Sequence, residues 1–442
     1  MDKERIKDYK DDIVKDLAAL VAYPSVYSED EPPFGKQNKL CLHEALSIAE
    51  SYGFKTVNVD DYCGYIEMGQ GDEIIGVLAH LDVVPVSKES WKTDPFVLTE
   101  IDGKYYGRGT SDDKGAVIAS LTAMRMLKEK EPTFNKRVRL ILGCNEESGS
   151  RGVAHYVEKY GYVDCGFTPD GAFPLVFGEK GMVSGLFSGT SNKIADIKGG
   201  TVSNAVASRV DIKLNNTNIN EEKLDAFFKE NNIKYQLENN TLTVFGNAAH
   251  ASTPQLGVNA ISFAMEGLYV AGINDDLVDA YHNLISTTYD GSKLGINFVD
   301  EYGSLTFNIG LAFKKDDKIC FTIDIRFPVT MKKENIIEPM KQNGGEWISN
   351  LDGIDPLFFS PDHPMIKALE NAYIEVTGDT NKKPMTMGGG TYAKEMNNIV
   401  AFGCDDEEYD YHIHDDDEFV TMESLLNQVA CYYQAIINLM EI

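Results

Sequence analysis

The sequence predicts an α/β protein in which a mostly parallel central sheet, flanked by helices, is interrupted by an inserted α+β domain with antiparallel sheets. Three observations carry this. A strand, helix, strand pattern runs from Ile74 to Gly143, which implies a parallel unit. From Lys180 the texture changes, with Gly, Ser, Thr and Asn multiplying among alternating apolar and polar runs. Finally, 442 residues exceed the size at which a single hydrophobic core stops growing.

In order along the chain, residues 4–22 carry apolar positions at Ile6, Ile13, Leu17, Leu20 and Val21 among charges, and Leu40 to Ala49 repeats the stripe, so two amphipathic helices are expected first. Pro24 ends the earlier one. The run Ile74 to Ala79 reads as a buried strand, RVRLILG at 137–143 as another, and Ala116 to Lys130 between them as a helix closed by Pro132. TLTVFG (241–246), SLTFNIG (304–310) and KICFTIDIRFP (318–328) alternate as antiparallel strands do. A helical stripe returns from Met365 to Val376. The expected division is therefore residues 1–179 with 361–442, and 180–360 between them.

The net charge of −28 repels phosphate backbones and anionic lipid, so neither nucleic acid nor membrane is an expected partner. The charged start MDKERIKDYKDD lacks the apolar run of a signal peptide, and no apolar stretch approaches a membrane span. Seven scattered cysteines without a Cys-x-x-Cys pair suit reduced thiols, which places the protein in the cytoplasm.

Five short segments concentrate metal-binding side chains: AHLD at 79–82, SDDKG at 111–115, NEES at 145–148, PDG at 169–171 and HDDDE at 414–418. Several follow β-rich runs, and strand ends are where open α/β sheets build sites. Asp82, two residues beyond His80, can reach that ring's far nitrogen and fix its tautomer. The adjacent Glu146 and Glu147 can divide their labour between proton transfer and metal binding. Taken singly, each has a plainer reading. His80 could be a structural histidine, Asp112 and Asp113 a helix cap, the glutamates a solvated pair, and Asp170 a turn residue. The coincidence of all of them points to a paired-metal hydrolytic site. His43, His155, His282 and His363 have no carboxylate near them in sequence that suggests a ligand.

HLDVVP, Trp91 with DPF at 94–96, YGRGTSDDKG, NEESGSRG, PDGAFP with GEKG at 178–181, and GNAAHASTPQLGVNA together resemble the signatures of the dinuclear zinc metallopeptidase family of carboxypeptidase G, aminoacylase and carnosinase. The FP-x-x-x-x-GEKG stretch is most similar to the bacterial Xaa-His dipeptidase and dipeptidase V branch. The resemblance implies a catalytic domain with a lid domain inserted in it. It implies two divalent metal ions, zinc by affinity, with manganese or cobalt also accommodated. Asp112 would bridge them, His80 and Asp170 would complete one site, and Glu147 with His414 the other. Glu146 would be the general base and Asp82 the partner of His80. His414 is preferred to His412 because the family's last ligand precedes x-x-Asp/Asn-Glu, and a cis peptide is expected after Asp112.

In the lid the resemblance makes His250 an oxyanion donor. Asn204 and Arg326, with the Gly388, Gly389, Gly390 and Thr391 loop, would hold the substrate's C-terminal carboxylate. Many relatives have Gly-Gly-Thr-Asp-Ala-Arg where this chain runs from Gly389 to Lys394; Tyr392 is similar to the dipeptidase branch, and Lys394 stands in place of the arginine. The expected function is metal-dependent hydrolysis of unmodified dipeptides, of Xaa-His or carnosine type among others, on a small peptide substrate. The lid, longer than in dimeric relatives, suits a monomer. An N-acyl-amino-acid deacylase on the same scaffold is the nearest alternative, and a non-catalytic metal or peptide carrier the next.

Overall fold

The computed structural model describes residues 3–130, 135–215, 219–405 and 408–442. Pro132, expected to close the helix before it, lies outside the described residues. Two compact units emerge. The first contains residues 1–178, 359–385 and 390–442, and the second contains 179–358 with 386–389. Residues 386–389, which the sequence puts with the first domain, group with the second because Lys180 N–H donates to the Met387 carbonyl (2.9 Å) and Arg326 Nη1 to the Gly388 carbonyl (3.3 Å).

The sheet of the first unit runs in the order Lys55–Val59, Cys63–Gly69, Arg137–Gly143, Ile74–His80, Cys165–Thr168, Ile399–Ala401, Val176–Glu179. The four strands from Arg137–Gly143 to Ile399–Ala401 are parallel neighbours, and the strands on either side of them pair antiparallel, so the sheet is mixed with a parallel centre. Ile74–His80 is buried along its whole length, as a strand covered on both faces must be, and its run of β-branched and apolar residues reflects that. The helix Lys114–Lys130 packs against Lys10–Val21 and against Met422–Met440. The strand Ile399–Ala401 returns the chain to this sheet beside Cys165–Thr168, in parallel register from Ile399 opposite Gly166.

A three-stranded sheet of Thr99–Ile101, Lys104–Tyr106 and Phe419–Thr421 has direct consequences for the site. Its pairing of Phe419 with Tyr106 lays the 107–113 loop beside the 414–418 segment.

The second unit is an eight-stranded antiparallel sheet. Its order is Lys234–Glu238, Thr241–Phe245, Arg209–Leu214, Ile194–Gly199, Thr306–Lys315, Lys318–Phe327, Gly181–Thr190, Ile348–Ile354. The alternating runs read from the sequence bury one face, with Val210, Ile212, Val244, Phe321, Ile323 and Ile325 in a core closed by the helices Ala260–Val270 and Asp276–Leu284.

Candidate active site

Two neighbouring parallel strands deliver the first ligands. Ile74–His80 ends on the fully buried His80, opposite Gly143 at the end of Arg137–Gly143, and the chain beyond Gly143 leads straight to Glu146 and Glu147. Asp82 ties these two exits together. Its Oδ1 accepts the main-chain N–H of Glu146 (2.9 Å) and its Oδ2 that of Glu147 (3.1 Å). The expectation that its carboxylate fixes the His80 tautomer is corrected. His80 Nδ1 lies 3.0 Å from the main-chain carbonyl of Asp82 and 3.6 Å from its carboxylate. A carbonyl can only accept, so the proton sits on Nδ1 and Nε2 is turned to the site.

The 107–113 loop brings Asp112, with a cis peptide between Asp112 and Asp113. Glu418, fully buried, was named in the sequence only as part of a motif, yet it shapes this loop. Its Oε2 accepts Arg108 Nη1 (2.7 Å) and the Gly109 N–H (3.0 Å), while Oε1 accepts the N–H groups of Ser111 (2.9 Å) and Asp112 (3.1 Å). Four donors on one buried carboxylate satisfy its lone pairs and neutralise its charge, which makes its burial tolerable.

Asp112 then faces two histidines. Its Oδ1 is 2.8 Å from His80 Nε2 and its Oδ2 is 2.9 Å from His414 Nε2, and His414 Nε2 is also 2.9 Å from Glu147 Oε1. His412 turns elsewhere, its Nδ1 donating to the Asp416 carbonyl at 3.0 Å. Two groups of three potential ligands result: His80 with Glu146 and Asp170, and Asp112 with Glu147 and His414, the donor atoms within each group lying within 4.8 Å of one another. Imidazole nitrogens with carboxylate oxygens are a donor set that suits zinc, manganese or cobalt.

The electrostatics fit a site made for positive charge. Hydrogen bonds donated to Asp112 and Glu147 raise the His414 imidazole to about 10. Burial works against protonation of His80, yet its contacts with Asp112 and Asp82 raise it well above the usual range. Burial alone would raise Asp112, but the two histidines hold it below the ordinary carboxylate range. Burial and then the Asp170 charge push Glu146 up to about 9. In these contacts a proton does what a divalent cation does when it binds the same atoms.

Each remaining histidine with a carboxylate has one only. His43 Nε2 meets Asp61, His155 Nε2 meets Asp60 and His282 Nδ1 meets Glu266, each at 2.8 Å. These partners lie 18, 95 and 16 residues away along the chain, too far for local composition to reveal them. None belongs to a group of three ligands among the described residues.

Of the Gly-rich loop, Gly390 and Thr391 lie in the first unit, where the Thr391 hydroxyl accepts the Ala393 N–H (3.1 Å), and Gly388 and Gly389 lie in the second. The second unit gathers its own polar cluster. The Ala251 N–H donates to the Asn204 carbonyl (2.9 Å), and Ala205 bridges His250 in the backbone. Burial and the nearby Arg326 charge lower the His250 pKa. Arg326 Nη1 reaches the Gly388 carbonyl (3.3 Å). Its Nε and Nη2 are already engaged by Asp324, at 2.7 and 3.0 Å. That edge of the fork is therefore not open to a substrate carboxylate, and Nη1 is engaged as well, by the Gly388 carbonyl and by Met182 Sδ (2.7 Å), which leaves the outer N–H of Nη2.

Known proteins share both the sequence and the fold. A protein of Staphylococcus haemolyticus described as a putative dipeptidase is 31% identical, over 99% of each chain. One of Bacillus subtilis with the same description is 32% identical over 97% of each. Human carnosine dipeptidase 1 superimposes with a TM-score of 0.59 at 16% identity, covering 100% of this chain and 98% of that one. The di-peptidase Dug1p of Saccharomyces cerevisiae gives 0.57 at 15% identity with the same coverage. All five ligand-bearing segments fall within residues 76–438, the stretch matched by one family model, and the chain belongs to peptidase family M20/M25/M40.

Proposed function

We propose that this chain is a metal-dependent dipeptidase that cleaves unmodified dipeptides. The observation that carries the reading is the pair of contacts from Asp112, whose two oxygens face His80 and His414 in separate ligand groups. Curated relatives that share about a third of their residues over nearly the whole chain are described as putative dipeptidases, which supports the substrate class.

His80 and Asp170 would hold one divalent ion and Glu147 and His414 the other, with Asp112 shared. Zinc is the choice by affinity, and manganese or cobalt also suits the ligands. Bound ions of this kind lower the pKa of water to about 7 and polarise the scissile carbonyl. Glu146 takes the proton of the attacking water and returns it to the leaving amine. Its main-chain N–H is held by Asp82, so the carboxylate starts from a fixed root. His250 donates to the developing oxyanion, and Asn204, Arg326 and the Gly388 to Thr391 loop hold the C-terminal carboxylate. With Asp324 on its inner edge and the Gly388 carbonyl and Met182 Sδ on Nη1, Arg326 binds that carboxylate through the outer N–H of Nη2.

We further propose a monomer in the cytoplasm. The second unit is a complete eight-stranded sheet with its own core, no disulfide joins the described cysteines, and no described helix is long and apolar enough to cross a membrane.

The test is hydrolysis of a dipeptide, its N-acetylated form, a tripeptide and carnosine by protein reloaded with zinc or manganese. Cleavage confined to free dipeptides is expected. Preference for the acetylated form would make the chain a deacylase, and silence across the panel would favour a carrier.

A further inference from the structure

Tyr392 is fully buried, and its hydroxyl is one of the few buried side-chain polar atoms with no hydrogen-bond partner among the described residues. It stands where many family members carry aspartate, so nothing assumed for that aspartate explains it. Leaving a hydroxyl buried and unpaired costs about 1–3 kcal/mol, which phenylalanine would avoid at almost the same volume. Such an orphan calls for a reason.

Its surroundings indicate one. The ring meets the His80 imidazole edge to face, with centroids 5.9 Å apart and planes at 84°. The hydroxyl lies over Gly143, so close that a Cβ there would stand 2.2 Å from it, which explains why the strand leading to Glu146 must end in glycine. The same hydroxyl is near enough to Asp82, Glu146 and Cys144 to feel their charges, and the main-chain N–H of Asn145 turns toward its oxygen, so what it lacks is an acceptor for its own proton. It therefore sits at the root of the Asn145, Glu146, Glu147 turn. Backbone and side chains here leave room for glycine alone, so the site has been shaped around this oxygen.

We propose that Tyr392 is a positioning residue of the hydrolytic centre, its hydroxyl donating to the Glu146 carboxylate, directly or through one water, when Glu146 acts as base. This rests on the dipeptidase reading, and it adds to that reading the residue that aims the base. Tyr156 provides the internal contrast. It is equally buried, but its hydroxyl accepts Arg139 Nη1 at 2.6 Å, away from the ligand groups.

The experiment compares Tyr392→Phe and Tyr156→Phe in the zinc-loaded chain for kcat, KM, metal content and Tm, on whichever dipeptide the unmodified chain hydrolyses. A donor to a charged group is worth about 1.5–3 kcal/mol, so Tyr392→Phe is expected to lower kcat about tenfold or more, with KM and metal content unchanged and Tm equal or higher. Tyr156→Phe is expected to lower Tm and leave kcat unchanged. Unchanged kcat in Tyr392→Phe would overturn the proposal and leave Tyr392 a space-filling ring, as would a loss of kcat explained by lost metal. Failure of the unmodified chain to cleave any dipeptide would instead strike the function itself.

Discussion

Asp112 Oδ2 lies 2.9 Å from His414 Nε2, although the two residues are far apart in the sequence. The other oxygen of the same carboxylate lies 2.8 Å from His80 Nε2. One imidazole ends a buried strand and the other comes from a turn, and around this carboxylate lie two groups of potential ligands, His80 with Glu146 and Asp170, and Asp112 itself with Glu147 and His414.

The division of labour between the adjacent glutamates gives the first expectation. Glu147 contacts His414 directly, whereas Glu146 groups with His80 and Asp170. Glu146→Gln is expected to retain both ions and lose about 10²- to 10⁴-fold in kcat, the range for a general acid–base group. Glu147→Ala is expected to lose metal. Metal content and turnover measured on the same samples separate the two, and full activity in Glu146→Gln would refute its role.

Glu418 should matter without touching a cation. It holds the Gly109, Ser111 and Asp112 N–H groups and the buried Arg108 guanidinium. Removing one partner of a buried ion pair costs about 3–5 kcal/mol. Glu418→Gln is thus expected to lower Tm sharply and to weaken metal binding about 10- to 100-fold, as supporting residues around metal ligands do. Chemical denaturation and metal titration of the purified variant would check both effects.

These residues also mark how far the sequence could be read. That His80, Asp112, Glu146, Glu147, Asp170 and His414 gather in two groups was legible because each sits in a short motif rich in potential ligands, where local composition signals the chemistry. Arg137–Gly143 was legible to the residue because Val138 and Leu140 to Leu142 make an apolar, β-rich run broken by Arg139 alone, as a strand buried from its second residue onward requires. Glu418 and Tyr392 were not, since their roles depend on pairings between segments far apart in sequence, such as Phe419 with Tyr106. The main-chain carbonyl that orients His80 was hidden for a different reason: every residue has a carbonyl, so composition cannot single one out. The first strands, Lys55–Val59 and Cys63–Gly69, escaped notice because their apolar residues are few or interrupted by glycine and glutamate.

Metal removal should make stability depend on pH. His414 is raised from 6.5 to about 10 and Glu146 from 4.5 to about 9, so between about pH 6.5 and 9 the folded chain holds protons that the unfolded chain has released. Stability then falls as pH rises. The Tm of metal-stripped protein is expected to drop from pH 6.5 to 9, and saturating zinc is expected to remove most of that drop by displacing the protons. A flat Tm profile without metal would contradict these environments.

Arg326 supplies an expectation about substrate length. If its N–H groups hold the C-terminal carboxylate, Arg326→Ala is expected to raise KM about 10- to 100-fold, the worth of a charged hydrogen bond. Amidating the dipeptide should cost the unmodified chain a similar factor but cost the variant little more, because both changes remove one interaction. Additive losses would place the carboxylate elsewhere.

The central claim is a hydrolytic site that needs two ions in one chain. The most direct measurement is titration of zinc or manganese into metal-stripped protein while dipeptide hydrolysis and bound metal are followed together. Activity is expected to be absent without metal and to reach its maximum as two ions bind per chain. Full hydrolysis without metal, or a chain that binds two ions and cleaves no dipeptide, would contradict it.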